Sequence, residues 1–472
     1  MRALVVWVLL AFEQFVLLYF FAINTSYLVC SVLAFFRLRQ HRHRWTTREL
    51  ESVVQSPATP GVSVIAPAYN EQATIVESMR ALLLLNYPQF EVICCNDGSK
   101  DETLPRAIEA FDLVEAPMAV GGGLPTAKVR AIYRSLTHAE FVLVDKENGG
   151  RADALNAGIN VARYPLICLI DADSLLEPTA LTQAVLPFLE SPETLAVGGI
   201  IRVVNGCTVE AGRVTEVRVP SNWIARFQVI EYLRAFLAGR VAHSAMGALL
   251  IISGAFGLFR RQDVIEAGGL DHRTIGEDME LCVRLHRRFR DRKQPYRLVF
   301  LPDPVCWTEV PESRRILGSQ RNRWQRGLFQ VLAQHRTMIL NPRYGIVGLL
   351  ALPYYVLFEA LGPMIEISGY LVTAGAIYYG LVDWHYAELM FLLSIVYGTL
   401  ISLAAVVLEE ISYRRYRRVR DLLLLIGLGI VENFGFRQLT TWWRLKGTYD
   451  FLRGKGGWGA MTRKGFGTPA SK

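Results

Sequence analysis

Long runs of uncharged residues flank a chain centre of mixed hydrophobic and polar character. Residues 4–36 are almost uncharged, and so are long parts of 346–379 and 389–408. A helix needs about 20 such residues to cross a hydrocarbon core that is ~30 Å thick. The pattern therefore predicts an N-terminal membrane helix at residues 1–40 and a C-terminal membrane region at residues 342–412.

Between these runs, apolar stretches with two different periods alternate along the chain. After a polar linker at residues 41–61, the segments "VSVIAPAY", "FEVICCN", "AEFVLVD" and "PLICLID" are typical of buried strands, and residues 71–85 and 151–162 are typical of helices. Such alternation favours an α/β fold with a parallel sheet. We therefore expect an α/β catalytic domain at residues 62–312, followed by an amphipathic interface helix at 313–341.

Basic residues beside the apolar runs predict the orientation in the membrane. "RLRQHRHR" follows the first run and "RRYRRVR" follows the last, and such clusters favour the cytoplasmic side. The large domain is then cytoplasmic in a multi-pass protein of the plasma membrane. Residues 346–379 cross once, with a bend at Pro363, and "LVDWHYAE" is the external turn. Residues 413–472 form a basic cytoplasmic or interfacial segment with a possible further inserted helix at 422–431.

Composition and charge exclude several classes of function. Hydrophobic residues make up 51% of the 472 residues and charged residues 20%, and the formal net charge is +8. Much of the basic excess lies beside membrane segments, where it sets topology or meets anionic lipid, so nucleic acid is not an expected partner. The seven cysteines contain no CxxC pair and the eight histidines no metal-binding spacing. We expect the cysteines to be small core residues.

Polar residues follow three of the predicted strands, in "AYNE", "NDGS" and "DADS". Ligands of parallel α/β sheets gather at the carboxyl ends of the strands, so Tyr69, Glu71 and Asp97 are candidates for ligand binding. Asp171 and Asp173 point to one face if strand geometry persists, and they can then share Mg²⁺ or Mn²⁺. Each motif also has a plain alternative, because Asn-Asp-Gly and Asp-Ala-Asp are common in solvated turns.

The segment "TIGEDMELCVRLHRRF" predicts a helix that begins with two carboxylates. Glu277 and Asp278 fall in its first turn, where the helix dipole favours acidic residues. The alternative is a general base held close to a metal-bound substrate. Nothing in the segment itself decides between these two interpretations.

The segment "SQRNRWQRGL" separates into two groups of residues on a helix. Gln320, Arg323, Trp324 and Gly327 lie at positions i, i+3, i+4 and i+7 and share one stripe. A buried arginine on this stripe needs an anionic partner, and the oxygens of a diphosphate match the guanidinium group. The remaining arginines lie toward the other side and are expected to be ordinary surface or interfacial charges; they are Arg314, Arg321 and Arg326.

With these residues assembled, the chain resembles the membrane-embedded family 2 glycosyltransferases, which include cellulose, hyaluronan and poly-N-acetylglucosamine synthases. The resemblance covers residues 62–338 and the flanking membrane helices, and it rests on "NDGS", "DADS", "GED" and "QRNRW" in that order. It implies a GT-A (Rossmann-like) domain that uses a UDP-sugar donor and Mg²⁺ or Mn²⁺. Gly276 departs from the threonine that cellulose synthases tend to carry, so close kinship with them is not expected.

The resemblance also implies a role for each motif residue. Asp278 would be the catalytic base, and Asp171 with Asp173 would bind the metal. The expected donor-binding residues are Tyr69, Glu71, Asp97, Arg151, Asp171, Gln320, Arg323 and Trp324. The expected neighbours of the acceptor are Ser253, Gly254, Glu277 and Trp324.

The implied activity is inverting, processive transfer of N-acetylglucosamine or glucose to the end of a growing β-linked polysaccharide. The chain would also help to export the polymer across the lipid bilayer, alone or with export or regulatory subunits. Two alternatives remain open: a non-processive transferase that adds one sugar to a lipid acceptor, and a catalytically silent membrane subunit that binds a nucleotide or lipid. The first differs in product size, and the second would not need every acidic motif.

Overall fold

The computed structural model describes most of the chain. Most of the predicted linker, two residues of the predicted external turn and the end of the basic C-terminal segment lie outside the described residues. The described ranges are 2–41, 51–53, 56–117, 121, 123–381, 384–416 and 418–455.

A ten-stranded mixed sheet forms the centre of the molecule, in the order β3-β4-β5-β2-β1-β6-β11-β8-β12-β7. The strands are β1 (Val62–Ala68), β2 (Phe90–Asp97), β3 (Leu113–Glu115), β4 (Val129–Ser135), β5 (Phe141–Lys146), β6 (Leu166–Ile170), β7 (Leu175–Leu176), β8 (Thr194–Val203), β11 (Phe256–Arg260) and β12 (Arg297–Thr308). A separate hairpin contains β9 (Thr208–Glu210) and β10 (Arg213–Glu216).

The centre of the sheet is parallel, as the sequence predicted. β5, β2, β1 and β6 are neighbours that pair in parallel, so their carboxyl ends lie at one edge. The predicted α/β class is therefore confirmed. The prediction of a purely parallel sheet is wrong. β11 inserts antiparallel between β6 and β8, and β4 pairs antiparallel with β5. β11 has only 5 residues, and its sequence does not show whether it pairs parallel or antiparallel with its neighbours.

Helices cover the sheet and continue into the apolar part of the chain. They are α1 (Arg2–His41), α2 (Ile75–Leu83), α3 (Thr103–Ala110), α4 (Arg151–Val161), α5 (Ala180–Glu190), α6 (Trp223–Tyr232), α7 (Val241–Ala245), α8 (Arg261–Glu266), α9 (Glu277–Asp291), α10 (Arg314–Gln334), α11 (Leu352–Tyr354), α12 (Gly362–Tyr378), α13 (Trp384–Phe391), α14 (Gly398–Ser412), α15 (Val419–Val431) and α16 (Phe436–Leu452). The predicted helix at 71–85 is thus shorter at both ends. Six of the seven cysteines are buried, which confirms their expected place in the core.

The longest helical segment of the central region that was not predicted from its sequence lies at residues 223–245. α6, the π-helical turn Leu233–Arg240 and α7 form a continuous helix, named here the 223–245 helix. Asn222 begins it, since its side-chain oxygen accepts hydrogen bonds from the backbone N–H groups of Ile224 and Ala225. The 223–245 helix packs against α1 and α14, so it lies between the sheet and the apolar helices.

Among the described residues, two helices are long and apolar enough to cross a membrane, at Ala11–His41 and Trp384–Ser412. A third span exists if the bent pair Val347–Ala360 and Gly362–Tyr378 is a single crossing. The two halves of that pair meet at 42°. Pro363 lies in the first turn of the second half, where it donates no backbone hydrogen bond, so the predicted bend is confirmed.

The sheet domain is fixed to the end of the second apolar span by a buried ion pair. Arg202, at the end of β8, donates two hydrogen bonds of 2.8 Å to the Glu409 carboxylate in α14, and both side chains are buried. The Arg202 guanidinium also lies over the rings of Trp307 and Tyr413. These contacts join the sheet to the apolar helices without intervening solvent.

Candidate active site

The turns after β1 and β2 are joined to each other at the carboxyl edge of the sheet. The backbone N–H of Asn70 donates to Ser99 Oγ over 3.0 Å. Thr74 Oγ1 donates to the Glu71 carboxylate over 2.7 Å, which holds Glu71 at the start of α2. Tyr69 is 45% exposed at the same edge. Tyr69 and Glu71 therefore border the region that the sequence assigned to the donor.

Asp97 lies at the end of β2 with its carboxylate surrounded by donors from one loop. Its Oδ1 accepts from Lys146 Nζ at 2.7 Å and from the Gly149 N–H at 2.9 Å. Its Oδ2 accepts from the Gly150 N–H at 2.8 Å and from Asn148 Nδ2 at 3.1 Å. Four donors match the acceptor capacity of a carboxylate. In this arrangement Asp97 holds the loop that follows β5, and its expected contact with the nucleoside stays a prediction.

Lys146 is a site residue that sequence reasoning missed. Its ammonium group is completely buried and also lies 2.6 Å from an oxygen of Asp153, in the first turn of α4. Lys146 therefore joins Asp97 to the helix that Arg151 begins. The signal was present in the sequence, because a lysine that ends an apolar strand such as "FVLVDK" must find buried anionic partners.

Arg151 connects three segments that are far apart in the sequence. Its Nε donates to Asp171 Oδ1, its Nη1 donates to Glu277 Oε1 and its Nη2 donates to the Gly254 carbonyl, each over 2.8 Å. The structure thus brings together a predicted donor-binding residue, a predicted metal ligand and two predicted acceptor neighbours. The guanidinium fixes the distance between the end of β6 and the start of α9.

The Gly254 peptide holds groups on both sides of this centre. Its carbonyl accepts from Arg151, and its backbone lies close enough to Asp278 to favour the ionised carboxylate and so to lower its pKa. A Cβ at position 254 would lie 2.7 Å from Arg151 Nη2, so the close approach requires a glycine. Ser253, the preceding predicted acceptor neighbour, is half-buried, and its hydroxyl accepts from the Ala255 N–H over 3.4 Å.

Asp278 and Glu277 begin α9 as adjacent carboxylates in a water-poor setting. The N–H of Met279 donates to Asp278 Oδ1 over 2.8 Å. Burial raises the pKa of Asp278, and the positive charges of Arg151 and Arg240 oppose that increase. Burial likewise raises the pKa of Glu277, to about 7, against the opposing effect of Arg151. A carboxyl group with a raised pKa is suited to general base chemistry.

The "DADS" segment forms a turn instead of extending β6. The strand ends at Ile170, and the Ser174 N–H donates to the Asp171 carbonyl over 3.1 Å. The expected strand alternation of Asp171 and Asp173 is therefore wrong, although both carboxylates raise the pKa of the buried Cys306 thiol, after the larger effect of burial, and so lie near it.

These two carboxylates fit a divalent cation that keeps other ligands. Within the described ranges, no group of three or more His, Cys, Asp or Glu side chains is arranged to hold a metal ion. Mg²⁺ commonly binds through one or two carboxylates and completes its shell with water and phosphate oxygens. Asp171 and Asp173 supply oxygens of the type that Mg²⁺ and Mn²⁺ prefer.

The helix α10 carries the "QRNRW" residues, and burial divides them differently from the prediction. Gln320 and Arg323 are buried, whereas Trp324 is 46% exposed. Arg321 and Arg326 are buried as well, so the expected surface position of these two arginines is wrong.

Both arginines have partners in other elements. Arg321 Nη2 donates to Glu231 over 2.7 Å, and Arg326 Nη1 donates to the Lys455 carbonyl over 2.8 Å. Arg314, by contrast, is exposed. The partners Glu231 and Lys455 are about 90 and 130 residues away in the sequence, which is why the helical pattern of α10 could not reveal them.

The start of α9 and the middle of α10 touch through their backbones. A Cβ at Gly327 would lie 3.1 Å from the Gly276 nitrogen, and one at Gly276 would lie 3.3 Å from the Gly327 carbonyl carbon. Gln330 Oε1 accepts from the Ile275 N–H over 2.9 Å. The glycine that departs from the threonine of cellulose synthases is therefore explained by this close helix contact.

The 223–245 helix supplies further residues that the sequence analysis did not single out. Burial raises the pKa of Tyr232 to about 12; Arg321 opposes this increase and Asp173 adds to it. Burial lowers the pKa of Arg240, and Asp278 opposes that decrease. Tyr232 is thus within electrostatic range of Asp173, and Arg240 is within range of Asp278. A tyrosine and an arginine on the inner face of an amphipathic helix were the available signal.

Comparisons with known proteins agree with this geometry. The sequence profile of the family described as "Glycosyltransferase like family 2" matches residues 60–327, which is more than half of the chain. Two relatives named poly-beta-1,6-N-acetyl-D-glucosamine synthase are similar over 273 residues, one from Staphylococcus aureus (strain COL) at 30% identity and one from Staphylococcus epidermidis at 29%. These alignments cover 58% of this chain and 55% of each relative, so the chain spans about half the length of the curated relatives.

A solved structure extends the likeness to nearly the whole chain. A mannosyltransferase from Pyrobaculum calidifontis, in complex with GDP-Man and Mn²⁺, superposes with a TM-score of 0.56. The superposition covers 93% of this chain and 100% of the other, at 19% sequence identity, which is evidence for a shared fold. The fold and site define the class as a glycosyltransferase with a GT-A domain. The chain belongs to glycosyltransferase-like family 2.

Proposed function

We propose that the chain is an inverting, processive glycosyltransferase that transfers N-acetylglucosamine, or else glucose, from a UDP-sugar to the end of a β-linked polysaccharide. The observation that carries this proposal is the Arg151 centre. One guanidinium joins Asp171, on the metal and donor side, to Glu277 and Gly254, on the side of the base Asp278. A donor and an acceptor held on these two sides would meet at a fixed distance.

On the donor side, Asp171 and Asp173 would hold Mg²⁺ or Mn²⁺. When bound, such an ion offsets negative charge on the leaving diphosphate. Arg323 and Gln320 are proposed to bind the diphosphate, since both are buried on α10 and both side chains carry N–H groups that can donate to its oxygens. Tyr69 and Glu71 border the nucleotide, and Asp97 shapes its loop.

On the acceptor side, Asp278 would accept the proton of the attacking sugar hydroxyl. Its raised pKa makes the carboxylate a better proton acceptor than an exposed aspartate, while Arg151 and Arg240 keep a useful fraction ionised. Because the hydroxyl attacks from the face opposite the diphosphate, an α-linked donor would give a β-linked product. Trp324 would contact the acceptor through its exposed ring.

The sugar and the acceptor are proposed from the relatives. Those named poly-beta-1,6-N-acetyl-D-glucosamine synthase favour N-acetylglucosamine as the sugar and a growing polysaccharide as the acceptor. The 223–245 helix contacts the bent apolar pair, because the His243 ring lies 5.3 Å from that of Tyr354. A polymer that leaves the base would thus reach the apolar helices directly, which supports export through the membrane from a cytoplasmic site.

The test uses the full chain in membrane vesicles supplied with a panel of UDP-sugars and either Mg²⁺ or Mn²⁺. UDP release and product size are measured together. We expect release with UDP-N-acetylglucosamine and a polymeric product, and Asp278→Asn should lower the rate by about 10² to 10⁴. Asp291→Asn, at the exposed far end of α9, is the matched control. Products limited to single-sugar lipids would replace the processive proposal, and an active Asp278→Asn variant would refute the role of the base.

A further inference from the structure

The Arg321 side chain is confined by contacts on two sides. Arg321 is only 4% exposed, although the helical pattern of α10 predicted a surface or interfacial position for it. Its Nη2 donates to Glu231 Oε2 over 2.7 Å, and its guanidinium carbon lies 4.3 Å from the centre of the Trp324 ring. The carboxylate fixes one end of the guanidinium, and the indole covers one of its faces.

Trp324 has the opposite environment to the arginine beneath it. The indole is 46% exposed, yet one of its faces is covered by the buried guanidinium. A guanidinium over an indole is attracted by the ring electrons, and the attraction increases when the cation is removed from water. Arg321 therefore favours a single orientation of an exposed ring that would otherwise sample several side-chain rotamers.

An indole supported on one face and open elsewhere is a suitable surface for a sugar ring. The aliphatic C–H groups of a pyranose pack against an aromatic face, whereas its hydroxyl groups remain available for hydrogen bonds. Trp324 lies one helical turn before Gly327, and the backbone of Gly327 touches Gly276, which directly precedes α9 and the base Asp278. The ring is therefore placed where the acceptor end would lie.

We propose that Arg321 is a positioning residue that holds the Trp324 indole as a platform for the terminal sugar of the acceptor, with Glu231 fixing Arg321. This proposal rests on the proposed function. It differs from the expectation that Arg321 is a dispensable surface charge. It assigns to the buried arginine a role that acts entirely through its neighbour.

The chain offers a matched control for this contact. Arg314 and Trp223 form a second arginine–tryptophan contact, which joins α10 to α6, with the guanidinium carbon 5.0 Å from the ring centre. Arg314 and Trp223 are both exposed, and neither lies in the "QRNRW" segment. Arg314→Met removes an arginine–tryptophan contact between the same two helices that the Arg321–Glu231 pair joins, so it reports any general effect of weakening that helix contact.

The experiment uses the full chain in lipid nanodiscs, with β-linked N-acetylglucosamine oligosaccharides as acceptors. KM for the acceptor, KM for the UDP-sugar and UDP release without acceptor are measured for Arg321→Met, Arg321→Lys and Arg314→Met. Arg321→Met should raise the acceptor KM about 3- to 30-fold, from the range of cation–π energies, and leave the other two quantities within about twofold. Arg321→Lys keeps the charge and should show a smaller increase, and Arg314→Met should show none.

A double-mutant cycle separates positioning from a general structural role. In a Trp324→Ala background, Arg321→Met should change the acceptor KM by less than about twofold, because no ring remains to be positioned. An equal increase in both backgrounds, or an equal increase in the KM for the UDP-sugar, would overturn the proposal. If Arg321→Met does not fold, Glu231→Gln, which weakens the ion pair but keeps a hydrogen-bond acceptor, takes its place in the cycle. A wild-type protein that releases no UDP from any UDP-sugar refutes the proposed function itself, and this proposal with it.

Discussion

Gly254→Ala is a sharp test of the Arg151 centre because it disturbs the guanidinium without removing any charge. A Cβ at position 254 would lie 2.7 Å from Arg151 Nη2 and 3.2 Å from its Cζ, whereas ordinary contacts lie at 3.4–4 Å. The guanidinium must therefore move by about 0.7 Å or more. It cannot move that far and keep its three hydrogen bonds of 2.8 Å to Gly254, Asp171 and Glu277.

The expected loss follows from these bonds. A hydrogen bond to a charged group contributes about 1.5–3 kcal/mol, so misaligning one or two of them costs about 2–4 kcal/mol. If this loss falls on the geometry of the transition state, kcat/KM decreases by about 30- to 1,000-fold. The same hydrogen bonds stabilise the folded state, so the thermal unfolding midpoint should also decrease, and activity is compared well below that midpoint.

The assay is UDP release from vesicles that contain each variant at matched expression. Gly427→Ala in α15 is the control, because no described atom lies within 4 Å of the position of its added Cβ. Gly254→Ala should add less than about twofold to the effect of Arg151→Met, since both act on the same guanidinium. The reasoning is refuted if Gly254→Ala keeps wild-type kcat/KM, or if its effect is undiminished in the Arg151→Met background.

Three further outcomes are expected. Gly276→Thr should lower activity and stability by about 1–3 kcal/mol through overpacking against Gly327, as judged from UDP release and thermal unfolding. As the pH is lowered, kcat/KM should begin to fall at a pH above 3.8, the ordinary pKa of aspartate. The reason is that a raised pKa means that Asp278 becomes protonated at a higher pH. Arg202→Met should cost about 3–5 kcal/mol of unfolding free energy in nanodiscs, because it leaves the Glu409 carboxylate buried and unpaired.

Each of these outcomes has its own control. Ala at 276 should be milder than Thr, and a Thr variant with wild-type activity would contradict the close contact with Gly327. An acidic limb at or below pH 3.8 would show that Asp278 is not the titrating base. The double variant Arg202→Met with Glu409→Met should recover most of the lost stability, since it removes both charges, and failure to recover would point to the rings of Trp307 and Tyr413 instead.

The parts of the site that the sequence predicted are those with local signals. Apolar runs such as Phe90–Asp97 end in turn residues, and parallel pairing of neighbouring strands then brings those ends to one edge. The first turn of α9 is equally local, because two carboxylates precede an apolar helical stripe. These signals placed Asp97 and Asp171 at one edge of the sheet, and the resemblance to family 2 glycosyltransferases added Asp278 to the same site.

The remaining parts depend on partners that are distant in the sequence. A helical pattern gives the side of α10 on which Arg321 lies, but burial on that side requires Glu231 from another helix. The turn at Asp171 replaces strand geometry because β7 pairs with β12 instead of continuing β6. The ion pair of Asp97 with Lys146 likewise depends on the folded loop and could not be predicted from either strand alone.

The site cannot be a property of the sheet alone. The sheet edge supplies Asp97 and Asp171, but α10 supplies Trp324 and the 223–245 helix supplies Glu231. The 223–245 helix packs against α1 and α14, and α10 packs along α16, where Gly447 is in close contact with the Asn322 carbonyl. The helices that would bind the acceptor are thus positioned by the apolar helices α1 and α14 and by α16 of the basic C-terminal segment. Loosening the apolar helices should therefore impair the acceptor side before it impairs the loop that Asp97 holds.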